Sequence, residues 1–140
     1  MVIKFDINIS EQELHDFITD WVNLLAIGQY KNALDSVLQD GSWSAELLET
    51  IINGYGIHYE VDRHVKYVVT PTSLATGDGD RFDIMWFEDN VVNDKKNIER
   101  LAEIWFQLPL NGEWSDLTVT FELLKIEGFL YLELNEVHMF

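Results

Sequence analysis

The sequence contains no cysteine and only nine lysine and arginine residues among 140. The absence of cysteine excludes disulfides, thiolate catalysis and cysteine-ligated zinc or iron–sulfur sites. No apolar run approaches the roughly 18 residues that a membrane-spanning helix needs. The N-terminal stretch has no basic region followed by an apolar segment, as a secretion signal would have, and we therefore expect a cytoplasmic protein.

Acidic residues outnumber basic residues by 25 to 9, which gives a formal net charge of -16 at pH 7. A field of this sign repels nucleic-acid phosphates and anionic lipids, so we expect neither nucleic acid nor a membrane as a partner. A basic protein would be attracted, whereas the alternative interpretation is that the charge only keeps the protein soluble. A homodimer is compatible with both interpretations.

Hydrophobic residues make up 47% of the chain and aromatic residues 13%, a composition typical of a folded globule and not of a disordered acidic tail. The length suits one domain over residues 1–140. Helical periodicity predicts helices over residues 11–27, 29–38 and 45–53. The first of these begins with a capping box, in which Ser10 is followed three residues later by a glutamate.

Beyond the third helix the hydrophobic periodicity changes. Alternation over residues 65–70 and 81–88 predicts two strands, and helical spacing over 95–107 predicts a fourth helix. A strand hairpin over 114–140 follows. We therefore expect an α+β fold in the order ααα-ββ-α-ββ, with helices packed on a curved, mainly antiparallel sheet. The predicted inward faces include three tryptophans, Trp21, Trp86 and Trp105.

The hairpin is predicted to turn at residues 127–128, a Glu-Gly dipeptide suited to a type I′ turn. Such a turn determines which residues of the two strands pair with each other, and it places Glu122 directly opposite Glu133. Continued without interruption, the same register pairs Thr120 with Asn135. Two directly opposed glutamates repel each other by a few tenths to about 1 kcal/mol if they are exposed, and by more if they are enclosed.

Three explanations are open for this pair of glutamates. Both side chains could point into water, or a bulge could shift the register so that they never meet. They could instead face a basic partner. They could also line a pocket in which one carboxylate stays protonated and the pair performs acid–base or metal chemistry.

The order of elements and the segment "AIGQYKNALDSVL" at residues 26–38 resemble NTF2-like and cystatin-like α+β domains. The resemblance implies helices packed into the concavity of a bent sheet. NTF2-like enzymes use Asp, His and Tyr side chains inside that concavity, and Tyr67, Asp83 and His138 are residues of these types. The W-S-D-L-T strand and the E-V-H-M terminus resemble those of small acidic bacterial proteins, which implies a fold and no activity.

Two further clusters have ligand-like spacing. The segment "HYEVDRH" at residues 58–64 alternates two histidines with two carboxylates, which is either a metal-binding set or a solvated strand face. The segment "DGDRFD" at residues 78–83 has the acids of a calcium loop but lacks that loop's glycine and final glutamate. No phosphate-binding loop or nucleophile elbow is present. We therefore expect neither a metal nor a cofactor.

The charge and the lack of a catalytic motif favour a binding protein over an enzyme. By analogy with other small acidic domains, the expected function is an immunity or inhibitor protein for a basic toxin or for another basic partner. The predicted interaction face consists of seven acidic residues, Asp78, Asp80, Asp83, Glu88, Asp89, Glu122 and Glu133. The alternative is an NTF2-like small-molecule binder or enzyme with a pocket in the sheet concavity, formed by Tyr67, Asp83, His138 and one of the paired glutamates.

Overall fold

The computed structural model describes residues 1–55, 66–77, 81–93 and 97–139, and of residues 89–93 it describes the backbone alone. Within these residues, three helices precede a sheet of four strands, which confirms the α+β class. The helices are α1 (Glu11–Ala26), α2 (Tyr30–Asp35) and α3 (Ala45–Asn53), and a short 3-10 turn occupies Thr72–Leu74. The strands are β1 (Phe82–Asn93), β2 (Ile98–Leu110), β3 (Glu113–Ile126) and β4 (Phe129–Met139).

Serine caps fix the start of the two longer helices. Ser10 accepts a hydrogen bond from the backbone N–H of Glu13 at 3.1 Å, and Ser44 accepts one from the backbone N–H of Leu47 at 3.1 Å. Each cap satisfies a donor that the first helical turn leaves without a partner. The second helix is shorter than predicted, because Leu38 leaves it to form a backbone bridge with β4.

The strands follow one another in the sheet as β1-β2-β3-β4, and every neighbouring pair is antiparallel. The helices pack on one face of this sheet, which we call the helix face. Trp21 of α1 contacts Phe121 of β3 edge-on, with ring centroids 5.1 Å apart, and its indole donates to the carbonyl of Ala33 at 2.8 Å. The helix face also contributes Ile104, Leu123 and their neighbours to a continuous buried core.

Residues 98–110 form β2, so the predicted helix over 95–107 is wrong wherever the structure describes that segment. Over the described part of the chain, the corrected order is three helices followed by four strands. Ala102, Ile104, Phe106 and Leu108 are buried at every second position, which is the periodicity of a strand with one face in the core. Two neighbouring strands pair with this segment along nearly its whole length, and those ladders override its helical spacing.

The segment predicted as a strand over 65–70 is described from residue 66, and it does not form a ladder. Val69 makes a single bridge to Leu110, beside the turn between β2 and β3. Thr70 donates its N–H to the carbonyl of Pro109 at 2.9 Å, and the 3-10 turn follows at once. The chain therefore crosses the end of the sheet instead of joining it. No helix among the described residues is long and apolar enough to cross a membrane.

The hairpin between β3 and β4 turns at Glu127 and Gly128, as predicted. Both residues have positive φ, at 51° and 85°, which is the backbone of a type I′ turn. The predicted register continues from the turn to Phe121. There a bulge intervenes, so that Thr120 faces Glu136 instead of the predicted Asn135. The backbone N–H of Glu136 donates to the Thr120 hydroxyl at 3.0 Å, which satisfies a donor next to the bulge.

Candidate functional site

Three glutamates lie side by side across the face of the sheet that points away from the helices, which we call the opposite face. Glu103 of β2 pairs in register with Glu122 of β3, and Glu122 pairs with Glu133 of β4. Residues directly opposed in an antiparallel sheet project to the same side, with Cα atoms about 4.5–5.5 Å apart. We call these three residues the acidic row. Like charges at this spacing destabilise a sheet, so the row is an energetic cost within the fold.

Arg100 compensates part of that cost. Its Nε and Nη2 atoms donate to the two carboxylate oxygens of Glu122 at 2.8 and 2.6 Å, in a two-pronged ion pair. The Glu122 side chain is only 15% exposed. A planar guanidinium suits such a carboxylate because it satisfies both oxygens at once. The same guanidinium lies 5.2 Å from the ring centroid of Phe87, so the charge is also held against an aromatic surface.

Aromatic side chains accompany the acids on the opposite face. Trp105 is half-buried there, and its indole N–H donates to a carboxylate oxygen of Glu103 at 3.0 Å. Trp105 is therefore not on the inward face that was predicted for it. Asp83 of β1 stands opposite Trp105 in register, and Tyr131 of β4 neighbours the acidic row. The face thus combines carboxylates with large flat side chains.

Three cavities among the described residues do not involve the acidic row. Cavities of about 190, 230 and 250 Å³ lie at the β3–β4 turn, beside the first turn of α1 and beside Tyr55, and the row lines none of these three. In the described part of the chain, no three His, Asp or Glu side chains are arranged to hold a metal ion. Direct adjacency of Glu122 and Glu133 is confirmed, and the explanation by a bulge between them is wrong, because the bulge begins beyond Phe121.

The predicted interaction face is partly assembled. Asp83, Glu122 and Glu133 all belong to the opposite face, and Glu88 is exposed on β1. Three other predicted residues cannot be placed in this way: Asp78 and Asp80 lie outside the described residues, and the Asp89 side chain is not described. Sequence reasoning missed Glu103 and Glu136. The sequence signal that could have assigned Glu103 to this face is the alternation of apolar residues at Ala102, Ile104 and Phe106, which are buried in β2.

The alternative pocket of Tyr67, Asp83 and His138 is not brought together. Asp83 is on β1 and His138 is on β4, which are the first and last strands of the sheet, with two strands between them. Tyr67 packs edge-on against Tyr55, with ring centroids 5.0 Å apart. The clusters at residues 58–64 and at 78–80 lie outside the described residues.

Tyr55 lines the cavity of about 250 Å³ together with Leu117, Val137 and His138. Its hydroxyl donates to the carboxylate of Asp116. Burial first, and this hydrogen bond second, raise the pKa of Tyr55 to about 12. A hydroxyl with such a pKa stays protonated at neutral pH, so it acts here as a hydrogen-bond donor and not as a base.

The arrangement as a whole can bind cations and guanidinium groups, and it offers aromatic surface beside them. It contains no nucleophile placed against a base among the residues discussed above. Comparison of this chain with models of known protein families, with curated proteins and with solved structures gives no match.

Proposed function

We propose that this chain is an acidic binding protein, and that the opposite face of its sheet binds a basic protein partner. The acidic row carries the proposal. Like charges directly opposed on neighbouring strands repel by a few tenths to about 1 kcal/mol per pair, and Arg100 offsets part of this repulsion through its pair with Glu122. Positive side chains placed over the row by a partner would remove that repulsion. The relief of this repulsion would then contribute to the free energy of binding.

Arg100 indicates the chemistry that suits this face. Its guanidinium makes a two-pronged pair with Glu122 and lies over Phe87, so carboxylate and aromatic surface already hold one guanidinium together. Arg is favoured in desolvated contacts of this kind because it is less strongly hydrated than Lys. A partner with arginines beside apolar residues would find the same two surfaces at Glu103 and Trp105.

An immunity or inhibitor protein acting in the cytoplasm on a basic toxin is the specific form of this proposal. Inhibition requires fast capture, and a formal net charge of -16 steers a basic partner toward the surface. The same charge opposes association of two copies of the chain. The homodimer is therefore a weaker alternative than a partner of opposite charge.

The NTF2-like alternative, with a small molecule between helices and sheet, gains no support from the packing. Trp21, Ile104 and Phe121 are fully buried at the centre of the helix face, where such a ligand would bind. Tyr67, Asp83 and His138 do not converge on that region either. We therefore propose no ligand for it.

Matched charge variants test the proposal. The double variant E103Q/E133Q removes two charges from the acidic row, and E46Q/E49Q removes two charges from exposed positions of α3. Wild-type protein should capture a basic protein from the source lysate at about 50 mM salt, and capture should fall steeply at about 300 mM. The row variant should lose that protein, and the α3 variant should keep it.

The partner identified in this way is then titrated calorimetrically against the same three proteins. An affinity at least about tenfold weaker for the row variant than for the α3 variant supports the opposite face as the binding surface. Equal affinities would show that only total charge matters. Failure to find any salt-sensitive basic partner would remove the proposed function.

A further inference from the structure

The two edges of the sheet differ in their backbone hydrogen bonding to other segments. The outer edge of β4 is hydrogen-bonded by two other segments of the chain. Phe5 exchanges both backbone bonds with Leu130, at 2.8 and 2.9 Å. Leu38 donates to the carbonyl of Leu132 at 2.9 Å and accepts from the N–H of Leu134 at 2.8 Å. No described residue makes such bonds to the outer edge of β1 over residues 83–86.

The backbone groups that β1 directs outward follow from its pairing with β2. The N–H of Gln107 donates to the carbonyl of Arg81 at 3.1 Å, so this position is directed toward β2. Antiparallel ladders alternate, so Asp83 and Met85 also direct their backbone groups toward β2. Ile84 and Trp86 therefore direct their N–H and C=O groups away from the sheet. Such a row of donors and acceptors is a template for another strand.

Exposed side chains show which strand chemistry suits this edge. Met85 is 39% exposed and Trp86 is 51% exposed, although both are large apolar residues. Acids flank them on both faces of the sheet. Asp83 is exposed on the opposite face, and Glu11 of α1 accepts the indole N–H of Trp86 at 2.7 Å on the helix face. The edge thus offers apolar contact between negative charges.

We propose that an extended basic segment of the partner adds to β1 as a fifth strand, hydrogen-bonded to Ile84 and Trp86. This inference rests on the proposed function, and it gives the mode of binding. The added strand would place its basic side chains on the opposite face, beside Asp83, and its apolar side chains on the helix face, beside Trp86. A second copy of this chain fits less well, because its own β1 would bring Asp83 and Glu88 of both copies to one seam.

A defined peptide probe tests the mode. The probe is an octapeptide that alternates lysine and valine, and its control is the same peptide with N-methyl groups on alternate residues. Methylation leaves charge and composition nearly unchanged but removes the backbone donors of one edge. The probe should slow amide hydrogen exchange at Ile84 and Trp86, and the methylated peptide should bind at least about tenfold more weakly.

Two substitutions at one position provide the protein-side control. Both Ile84→Pro and Ile84→Ala remove a partly buried side chain, but only proline removes the outward N–H. Proline is tolerated on edge strands where its nitrogen points away from the ladder. We expect I84P to weaken probe binding about tenfold more than I84A does. If I84P fails to fold, the methylated peptide still decides the question.

The outcomes separate this inference from the proposed function. Salt-sensitive binding of both peptides with equal affinity, and protection only around Glu103 and Glu133, would overturn strand addition and leave the proposed function standing. No binding of any basic probe, together with no basic partner from the lysate, would remove both. Selective binding of the unmethylated probe with protection at Ile84 and Trp86 supports both.

Discussion

Glu122 and Glu133 lie directly opposite each other on β3 and β4, and Arg100 forms its two-pronged ion pair with the first of them. The register that brings the two acids together is set by the type I′ turn on one side and by the buried leucines of the helix face on the other. Core packing and turn geometry thus keep the two carboxylates adjacent although they repel each other.

A double-mutant cycle with E122Q, E133Q and the combined variant should show an unfavourable coupling of a few tenths to about 1 kcal/mol in the free energy of unfolding. The cycle cancels the loss of the Arg100 pair, because that loss is common to both variants of Glu122. Urea unfolding at low salt measures the coupling, and added salt should reduce it. A favourable coupling would mean that the two side chains share a proton or a bridging group.

Replacing Arg100 by methionine should lower the free energy of unfolding by about 1–3 kcal/mol, since the Glu122 carboxylate would stay largely buried but would lose its two-pronged ion pair. Arg100→Lys should recover little of this, because an ammonium cannot satisfy both oxygens in one plane. As a control, Lys31→Met removes an exposed helical ion pair with Asp35 and should change stability by less than about 0.5 kcal/mol. Equal stability of R100K and wild type would show that charge alone holds Glu122.

Glu127 occupies the left-handed region with a φ of 51°, where asparagine is favoured over glutamate. Glu127→Asn should raise the free energy of unfolding by about 0.5–1 kcal/mol. Glu127→Gln makes the same change in charge without asparagine's preference for this backbone conformation. Any stability that E127N has beyond E127Q therefore measures the conformational preference at the turn. Equal values for the two variants would contradict a conformational origin.

Tyr55 should titrate about two pH units above an ordinary tyrosine, since its pKa is raised from 10.0 to about 12 by burial and by the bond to Asp116. A raised folded pKa stabilises the protonated state, so the contribution is fully present below about pH 10 and is lost as the pH rises toward 12. NMR titration of ring-labelled tyrosine, assigned with Tyr55→Phe, measures the shift directly. The stability difference between wild type and Y55F should narrow above pH 10.

Elements with local signals were predictable from the sequence. The first and third helices carry serine caps, and the hairpin carries a Glu-Gly turn, so their positions depend on neighbouring residues alone. The segment of β2 was mistaken for a helix because apolar residues occupy both of its faces, with Trp105 on the opposite face and Phe106 on the helix face. The extra residue at Leu101 adds a second pair of adjacent apolar residues, Leu101 and Ala102, and pairs spaced by three and four are read as helical.

The candidate site was predictable where it follows from the hairpin register. Glu122 and Glu133 were placed together correctly, and Asp83, which was predicted to share an interaction face with them, lies on the same face of the sheet. Glu103 was missed since its segment was assigned to a helix. The pairing of Arg100 with Glu122 was also missed, because it joins two strands whose relative register no local pattern fixes.

The bulge in β4 has a consequence for the length of that strand. Leu134 and Val137 are both buried on the helix face although their positions differ by three, whereas a regular strand requires an even difference, and Asn135 is the extra residue at the bulge. Deleting Asn135 would leave both apolar residues inside and Glu136 still opposite Thr120. Deletion therefore restores an uninterrupted ladder. An insertion at the same place would also keep both apolar residues on the helix face, but it would shift the end of β4 along β3, so that Val137 would face Leu117 instead of Val119.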